Sequence, residues 1–355
     1  MSKVITKGKR PKQNKNEGIQ KQRNYYIDNL KVILIIFVVM GHFALKLQFV
    51  KEIKYILYFI YTFHMPCFIF TSGFLAKRMN VNGKLRVNKI MSIIWMYLLF
   101  KVGNVLLGYL FHKHVGLSLL VDSTAPWYLL ALSIWYLSVP ILERIKTGYL
   151  IVGSFLIGLV AGYINCLGLA LSLSRVFVFF PFFIIGFCLS QDMLDKALSK
   201  KLKIPAVLFI VFVFTGFSLF WDKLKPFKSI VYGTASYAKS LWHLANYGLL
   251  IRGLWYLLAI ALSVAIIFLV PRGKVIFSVL GERTLQIYIT HIWIRNALVY
   301  AGFFVIIKAG PDYLVYIVLL ASVALALLLA NSWLKKAFDI IMPQKLFNKM
   351  IKNDN

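Results

Sequence analysis

Residues 25–46 read Tyr-Tyr-Ile-Asp-Asn-Leu-Lys-Val-Ile-Leu-Ile-Ile-Phe-Val-Val-Met-Gly-His-Phe-Ala-Leu-Lys. Between Lys31 and Lys46 the only ionisable side chain is His42. An apolar run of about this length crosses a bilayer as one helix. No small-residue cleavage site follows it, so it is a retained first span and not a removed leader. The rest of the chain has the same character. Of 355 residues, 60% are hydrophobic and only 15% charged, with a mean hydropathy of +0.76. Soluble domains carry about 25% charged residues, so this sequence cannot supply the polar shell of a soluble enzyme. The 41 Lys+Arg against 12 Asp+Glu leave a net charge of +29. Nucleic-acid binding would need those cations on one folded surface; here they punctuate apolar runs, as topology determinants do.

Hydropathy places ten helices near residues 26–46, 54–76, 91–111, 126–142, 149–166, 176–191, 204–221, 250–270, 286–307 and 313–332. The expected fold is an all-α, polytopic membrane bundle of about ten transmembrane helices. Residues 1–24 form a basic, disordered arm suited to anionic lipid headgroups, residues 25–332 the transmembrane domain, and residues 333–355 a basic tail. With the N-terminus inside, the cytoplasmic segments hold 27 Lys+Arg and the opposite ones 11, counting Lys46, Lys54 and Arg252 at the span borders with them; the other three lie within spans. Both termini are therefore expected in the cytoplasm. Cys67, Cys166 and Cys188 sit at no ligand spacing, which argues against a disulfide framework or a metal site. No metal is expected. The longest outer segment, 222–249, and its border carry Trp221, Tyr232, Tyr237, Trp242 and His243, either an interfacial belt or a sugar-stacking surface.

Lys31 and His42 are eleven residues apart, close to three turns, so they share a helix face separated by about 16 Å of rise. Asp28 lies three residues before Lys31 on that face, placed to pair with it. Ionisable groups inside a membrane are costly and mark function; the alternatives are a snorkelling lysine and a packed, hydrogen-bonded histidine. In the second span, Phe63-His-Met-Pro66 is followed by Ser72-Gly73. Pro66 is expected to break or kink the helix and Ser72-Gly73 to allow close helix approach. His64 could then reach the same cavity as His42.

The order Asp28, Lys31, His42 resembles the signature of the acyltransferase 3 family of membrane acyltransferases, in which a basic residue stands eleven positions before an essential histidine. Further motifs resemble that family too: Phe63-His-Met-Pro through Ser72-Gly-Phe, Pro126-Trp-Tyr-Leu-Leu-Ala-Leu, Arg175 with Phe179-Phe-Pro-Phe-Phe-Ile-Ile-Gly186, and Leu285-Gln-Ile-Tyr-Ile-Thr-His291. Together they cover residues 25–330 and are most similar to the fucose 4-O-acetylase-like branch. The resemblance implies acetyl-CoA as cytoplasmic donor and a hydroxyl of an extracytoplasmic or lipid-linked cell-surface glycan as acceptor. It assigns catalysis to His42 with Lys31 and Asp28. It assigns CoA phosphates to Lys84 and Arg86, to which the basic cluster adds Arg78, and a shared cavity to Trp127, Arg175, Tyr288 and His291, to which the second-span motif adds His64 and Ser72. Lysine replaces the usual arginine at 31 and 84, which keeps charge but not bidentate geometry, and the proline usual early in the third span is absent from Ile93-Ile94-Trp95.

Histidine suits the implied reaction, because deprotonating an acceptor hydroxyl near neutral pH needs a base of its basicity. General-base action and an acyl-imidazole intermediate both remain open. The competing class is a transporter or flippase of lipid-linked glycans, but all twelve acids fall at span ends, in loops or in tails, so the carboxylates of a proton relay are missing. An O-succinyltransferase of the same family is the closer alternative. A multi-pass protein of the bacterial cytoplasmic membrane is the expected location.

Overall fold

The computed structural model describes residues 24–121, 125–168 and 170–341; the basic arm before Asn24 and the tail after Ile341 lie outside them. The first six helices are α1 (Tyr25–Ala44), α2 (Lys51–Ala76), α3 (Val87–Leu110), α4 (Trp127–Leu142), α5 (Thr147–Val160) and α6 (Leu173–Cys188). Then come the short α7 (Gln191–Ser199), the long α8 (Lys203–Leu219), and three short helices, α9 (Trp221–Leu224), α10 (Lys228–Tyr232) and α11 (Tyr237–Leu241). The chain closes with α12 (Gly248–Leu269), α13 (Thr284–Tyr300), α14 (Phe303–Ala309), α15 (Tyr313–Leu328) and α16 (Ser332–Ile341). A two-residue hairpin, β1 (Asn80–Val81) with β2 (Lys84–Leu85), joins α2 to α3.

Each of the ten expected spans coincides with α1–α6, α8, α12, α13 or α15, and the protein is an all-α membrane bundle. By length and apolarity α1, α2, α3 and the stretch Tyr237–Leu269 can each cross a bilayer alone. Four more reach that length only as bent pairs: α6 with α7 (89°), α8 with Trp221–Tyr232 (83°), α13 with α14 (64°) and α15 with α16 (64°). The apolar α4 and α5 are shorter. Two expectations need correction. Pro66 does not break α2, which runs on through it from Lys51 to Ala76; α6 packs closely on this half of the helix, at Phe70 and Gly73, and protein neighbours make a proline tolerable within a membrane span. Arg175 is not ahead of the sixth helix but in its first turn, since α6 begins at Leu173.

Connections expected on one side of the membrane meet one another. Asn24 bonds Gln191, Lys77 bonds the Leu189 carbonyl, Asn80 bonds Glu143, and Arg283 bonds the Ala330 carbonyl. At the other end Lys51 lies 3.9 Å from Asp222, Val121 bridges to Ala170, and Ser174 bonds the Gly233 carbonyl. Asn24 and Ile341 are thus at the same end of the bundle, the end rich in Lys and Arg.

The helices differ in what surrounds them. In α1, Leu34, Ile35, Val38 and Val39 are fully enclosed by protein. Leu106 on α3, Phe212 on α8, Leu257 on α12 and Leu320 on α15 are instead 58–75% exposed, as lipid-facing side chains are. Lipid is as apolar as leucine, so close packing must hold such helices together. The α2–α6 crossing does this with reciprocal glycines: a Cβ on Gly73 would stand 2.0 Å from the Phe183 carbonyl oxygen, and one on Gly186 2.0 Å from that of Phe70. The close approach expected from Ser72-Gly73 is present, with α6 as its partner.

Candidate active site

The enclosed α1 sets the depth of the site. Asn24 caps it, its side-chain oxygen accepting from the Ile27 N–H at 3.2 Å. Lys31 Nζ and Asp28 Oδ1 are paired at 2.9 Å, the contact expected from their spacing. Between them Asn29 is fully buried: its Nδ2 donates to the carbonyls of Pro271 and Gly273, both at 2.9 Å, and its Oδ1 accepts from Ser278 Oγ at 2.6 Å. Gly281 lies so close that a Cβ would stand 2.6 Å from Asp28 Cβ. The α12–α13 connection therefore clamps the N-terminal end of α1. No sequence motif marks Asn29; the only signal is its place beside an intramembrane ion pair, where a buried amide must find partners.

About 16 Å along α1 from Lys31, His42 Nδ1 stands 2.9 Å from His291 Nε2 on α13. The rings are 5.1 Å apart and tilted by 32°. His291 is 0% exposed, and its Nδ1 lies 2.6 Å from the Ile287 carbonyl one turn earlier. His42 remains half-buried, so of the two rings it is the one that can touch a substrate. Below His291 a run of edge-to-face ring contacts continues through Tyr288, whose hydroxyl donates to the Ala125 carbonyl, to Tyr128 at 5.8 Å. Tyr128 in turn lies 2.6 Å from Ser72 Oγ. Ser72 donates to the Phe68 carbonyl, so the tyrosine hydroxyl is the donor between these two.

Two other expected residues approach from the side. Arg175 stacks on Trp127 at 5.0 Å, with Nε 3.3 Å from the Tyr232 carbonyl. His64 is 2% exposed, its Nδ1 held at 2.7 Å by the Ile60 carbonyl and its ring against Tyr61, which meets Tyr232. His64 and Arg175 both lie within electrostatic reach of His42, as does the buried Arg295, one turn beyond His291. Arg295 Nη2 donates to Asn296 Oδ1 at 2.7 Å, and Asn296 bonds Asn104 across to α3. Arg295 belongs to none of the family-like motifs; its one signal in the sequence is that it is an arginine within a span.

The cationic residues at the Asn24 end of the bundle divide into two groups. Lys84 and Arg86 are exposed on and just after the hairpin. Arg78 instead lines an open cavity of about 510 Å³ together with Arg272, Tyr25, Tyr26, Gln191 and Asp195. Arg272 belongs to the loop that Asn29 holds.

Residues 24–331 match the family model for the acyltransferase domain, Acyl_transf_3, over most of the chain. The chain belongs to the acyltransferase 3 family. No curated protein and no solved structure matches it. Family membership makes the protein a membrane acyltransferase, and the acyltransferase domain contains every element of the geometry above: the half-buried imidazole in mid-bundle, the ion pair below it and the cationic cavity at the Asn24 end of the bundle. Among the described residues of this acyltransferase no three His, Cys, Asp or Glu side chains gather as metal ligands.

Proposed function

We propose that this acyltransferase moves an acetyl group from cytoplasmic acetyl-CoA to a hydroxyl of an extracytoplasmic or lipid-linked glycan, with His42 as the base. The single observation that supports this best is the pairing of His42 with His291. It gives the partly accessible imidazole of α1 a fixed orientation deep in the bundle, on the helix whose inner end borders a cationic cavity. In this reading His42 takes the proton of the acceptor hydroxyl as its oxygen attacks the thioester carbonyl. The tetrahedral intermediate collapses with cleavage of the carbon–sulfur bond. The imidazolium then returns the proton to the departing thiolate, so charge and protons balance.

The donor fits the inner cavity by chemistry. Two guanidinium groups suit a diphosphate, the Tyr25 and Tyr26 rings suit a purine, and about 510 Å³ falls within the roughly 300–1,000 Å³ of small-molecule pockets. Lys84 and Arg86, on and just after the hairpin that follows Arg78, would add a second source of positive charge. Lys31, paired with Asp28, would steer the acyl arm on its way up α1. The branch that acetylates fucose-like sugars and the bacterial cytoplasmic membrane belong to the same proposal, with the Lys/Arg-rich end of the bundle in the cytoplasm and the basic arm on anionic lipid.

Purified protein in detergent, given acetyl-CoA labelled in the acetyl group, should hydrolyse it slowly and transfer label to a glycan acceptor. Label that stays in CoA with every acceptor, while unmodified glycan crosses the membrane of proteoliposomes, would show a transporter instead. Succinyl-CoA in the same assay separates the two acyl donors.

A further inference from the structure

We infer that His291 is a positioning residue that sets the tautomer of His42, leaving the His42 Nε2 lone pair free for the acceptor proton. The inference rests on the reading of His42 as base and adds to it a direction for the whole hydrogen-bonded chain. The direction starts at Ile287. A backbone carbonyl can only accept, so His291 Nδ1, 2.6 Å away, must carry a hydrogen. Among the described residues no carboxylate pairs with either ring, and His291 is 0% exposed, so a charge there would have neither counter-ion nor water; the neutral ring is the form that can be buried. A neutral imidazole has one N–H, which leaves His291 Nε2 as an acceptor. His42 Nδ1, at 2.9 Å, must then be the donor. The chain runs His42 Nδ1–H to His291 Nε2, then His291 Nδ1–H to Ile287 O, and ends with a bare nitrogen at His42 Nε2.

Three features make this a device and not a chance contact of two rings. His291 is held on every side: by its own helix carbonyl, by the Tyr288 ring, and by complete enclosure. His42 forms no such bond to its own helix, unlike His64, whose Nδ1 is taken up by the carbonyl four residues before it. The orientation of His42 is therefore handed to a residue 249 positions away in sequence. The arrangement also resolves a conflict of the membrane interior. A base that becomes cationic in the reaction benefits from an acceptor behind it, the task a carboxylate performs in serine hydrolase triads, but a carboxylate in this depth of bilayer is costly. A neutral imidazole accepts the same hydrogen bond, which strengthens when His42 becomes charged. The charged and titratable groups facing His42, namely Arg295 on α13, Arg175 on α6 and His64 on α2, include no anion that would do this instead.

The test uses two readouts on the full-length protein in detergent. With nitrogen-15 introduced only at histidine, magnetic resonance distinguishes a protonated from a bare Nε2, and the His42→Ala variant identifies the His42 signals among those of the six histidines. Wild-type protein should show His42 with hydrogen on Nδ1; hydrogen on Nε2 overturns the inference whether or not any acetyl transfer is found. In the labelled acetyl-CoA assay, His291→Leu removes the acceptor. It should lower kcat by roughly 10²-fold or more, within the range for loss of general-base action, with the acceptor KM unchanged and the His42 tautomers mixed. His291→Gln offers an amide oxygen near the Nε2 position, and should recover much of both the rate and the single tautomer. A folded His291→Leu protein with wild-type kcat overturns the role. Absence of transfer by the wild type, with the expected tautomer in place, would count against the proposed reaction and leave the His291 geometry standing.

Discussion

Asn29→Ala removes three buried hydrogen bonds at one point: two to the carbonyls of Pro271 and Gly273 at 2.9 Å and one from Ser278 Oγ at 2.6 Å. Side-chain hydrogen bonds in membrane proteins contribute about 0.6 kcal/mol each on average, and soluble ones about 1 kcal/mol. The total is about 2–3 kcal/mol, since alanine also leaves two carbonyls without that donor. The loss should be functional as well as structural. Pro271 and Gly273 flank Arg272, so releasing them releases one of the two guanidinium groups of the inner cavity. The KM for acetyl-CoA should rise about tenfold, which corresponds to ~1.4 kcal/mol, while kcat at saturating donor stays near wild type because His42 is about 20 Å up the same helix. Denaturant titration in mixed micelles measures the first quantity and labelled acetyl transfer at varied acetyl-CoA the second. A stability loss below about 0.5 kcal/mol, on a scale where one hydrogen bond already exceeds that, or an unchanged donor KM, would refute the reasoning.

Four further outcomes follow from the geometry. His42→Ala should lower acetyl transfer by about 10²–10⁴-fold, roughly 3–5 kcal/mol of barrier, at equal protein level in the membrane; Lys31→Arg should retain activity that Lys31→Ala loses. Removing both Arg78 and Arg272 should raise the donor KM more than removing both Lys84 and Arg86, because only the first pair lines the cavity; donor titrations of the two double variants decide between them. Gly73→Leu should disrupt the α2–α6 crossing, where even a Cβ would lie 2.0 Å from a carbonyl oxygen, and should lower the thermal midpoint far more than Gly153→Leu, whose Cβ would meet nothing within 4 Å. A cysteine placed at Lys84 should resist membrane-impermeant thiol reagents in intact cells and react after permeabilisation; labelling from outside would reverse the orientation.

The amino-acid sequence by itself determined the ten apolar helices, the segregation of Lys and Arg to alternate connections, and the stripe of Asp28, Lys31 and His42 on one helix. Each is a local property: a run of apolar residues, a count of charges, a spacing of three or eleven. The companion motifs around His64, Ser72, Trp127, Arg175, Tyr288 and His291 were legible for the same reason, as short strings. What those strings touch was not. Helices that are apolar on every face give no sign of which face meets lipid, so the enclosure of α1 and the exposure of α3, α8, α12 and α15 became visible only in the packed bundle. Pro66 reads locally as a helix breaker, yet α6 lies along α2 and the helix continues through it. Asn29 and Arg272 carried no motif; their roles arise where the α12–α13 loop closes on the start of α1. The pairing of His42 with His291 is the clearest case. Each histidine stands in its own short motif, but 249 residues separate them, and only the docking of α13 against α1 brings one imidazole nitrogen within 2.9 Å of the other.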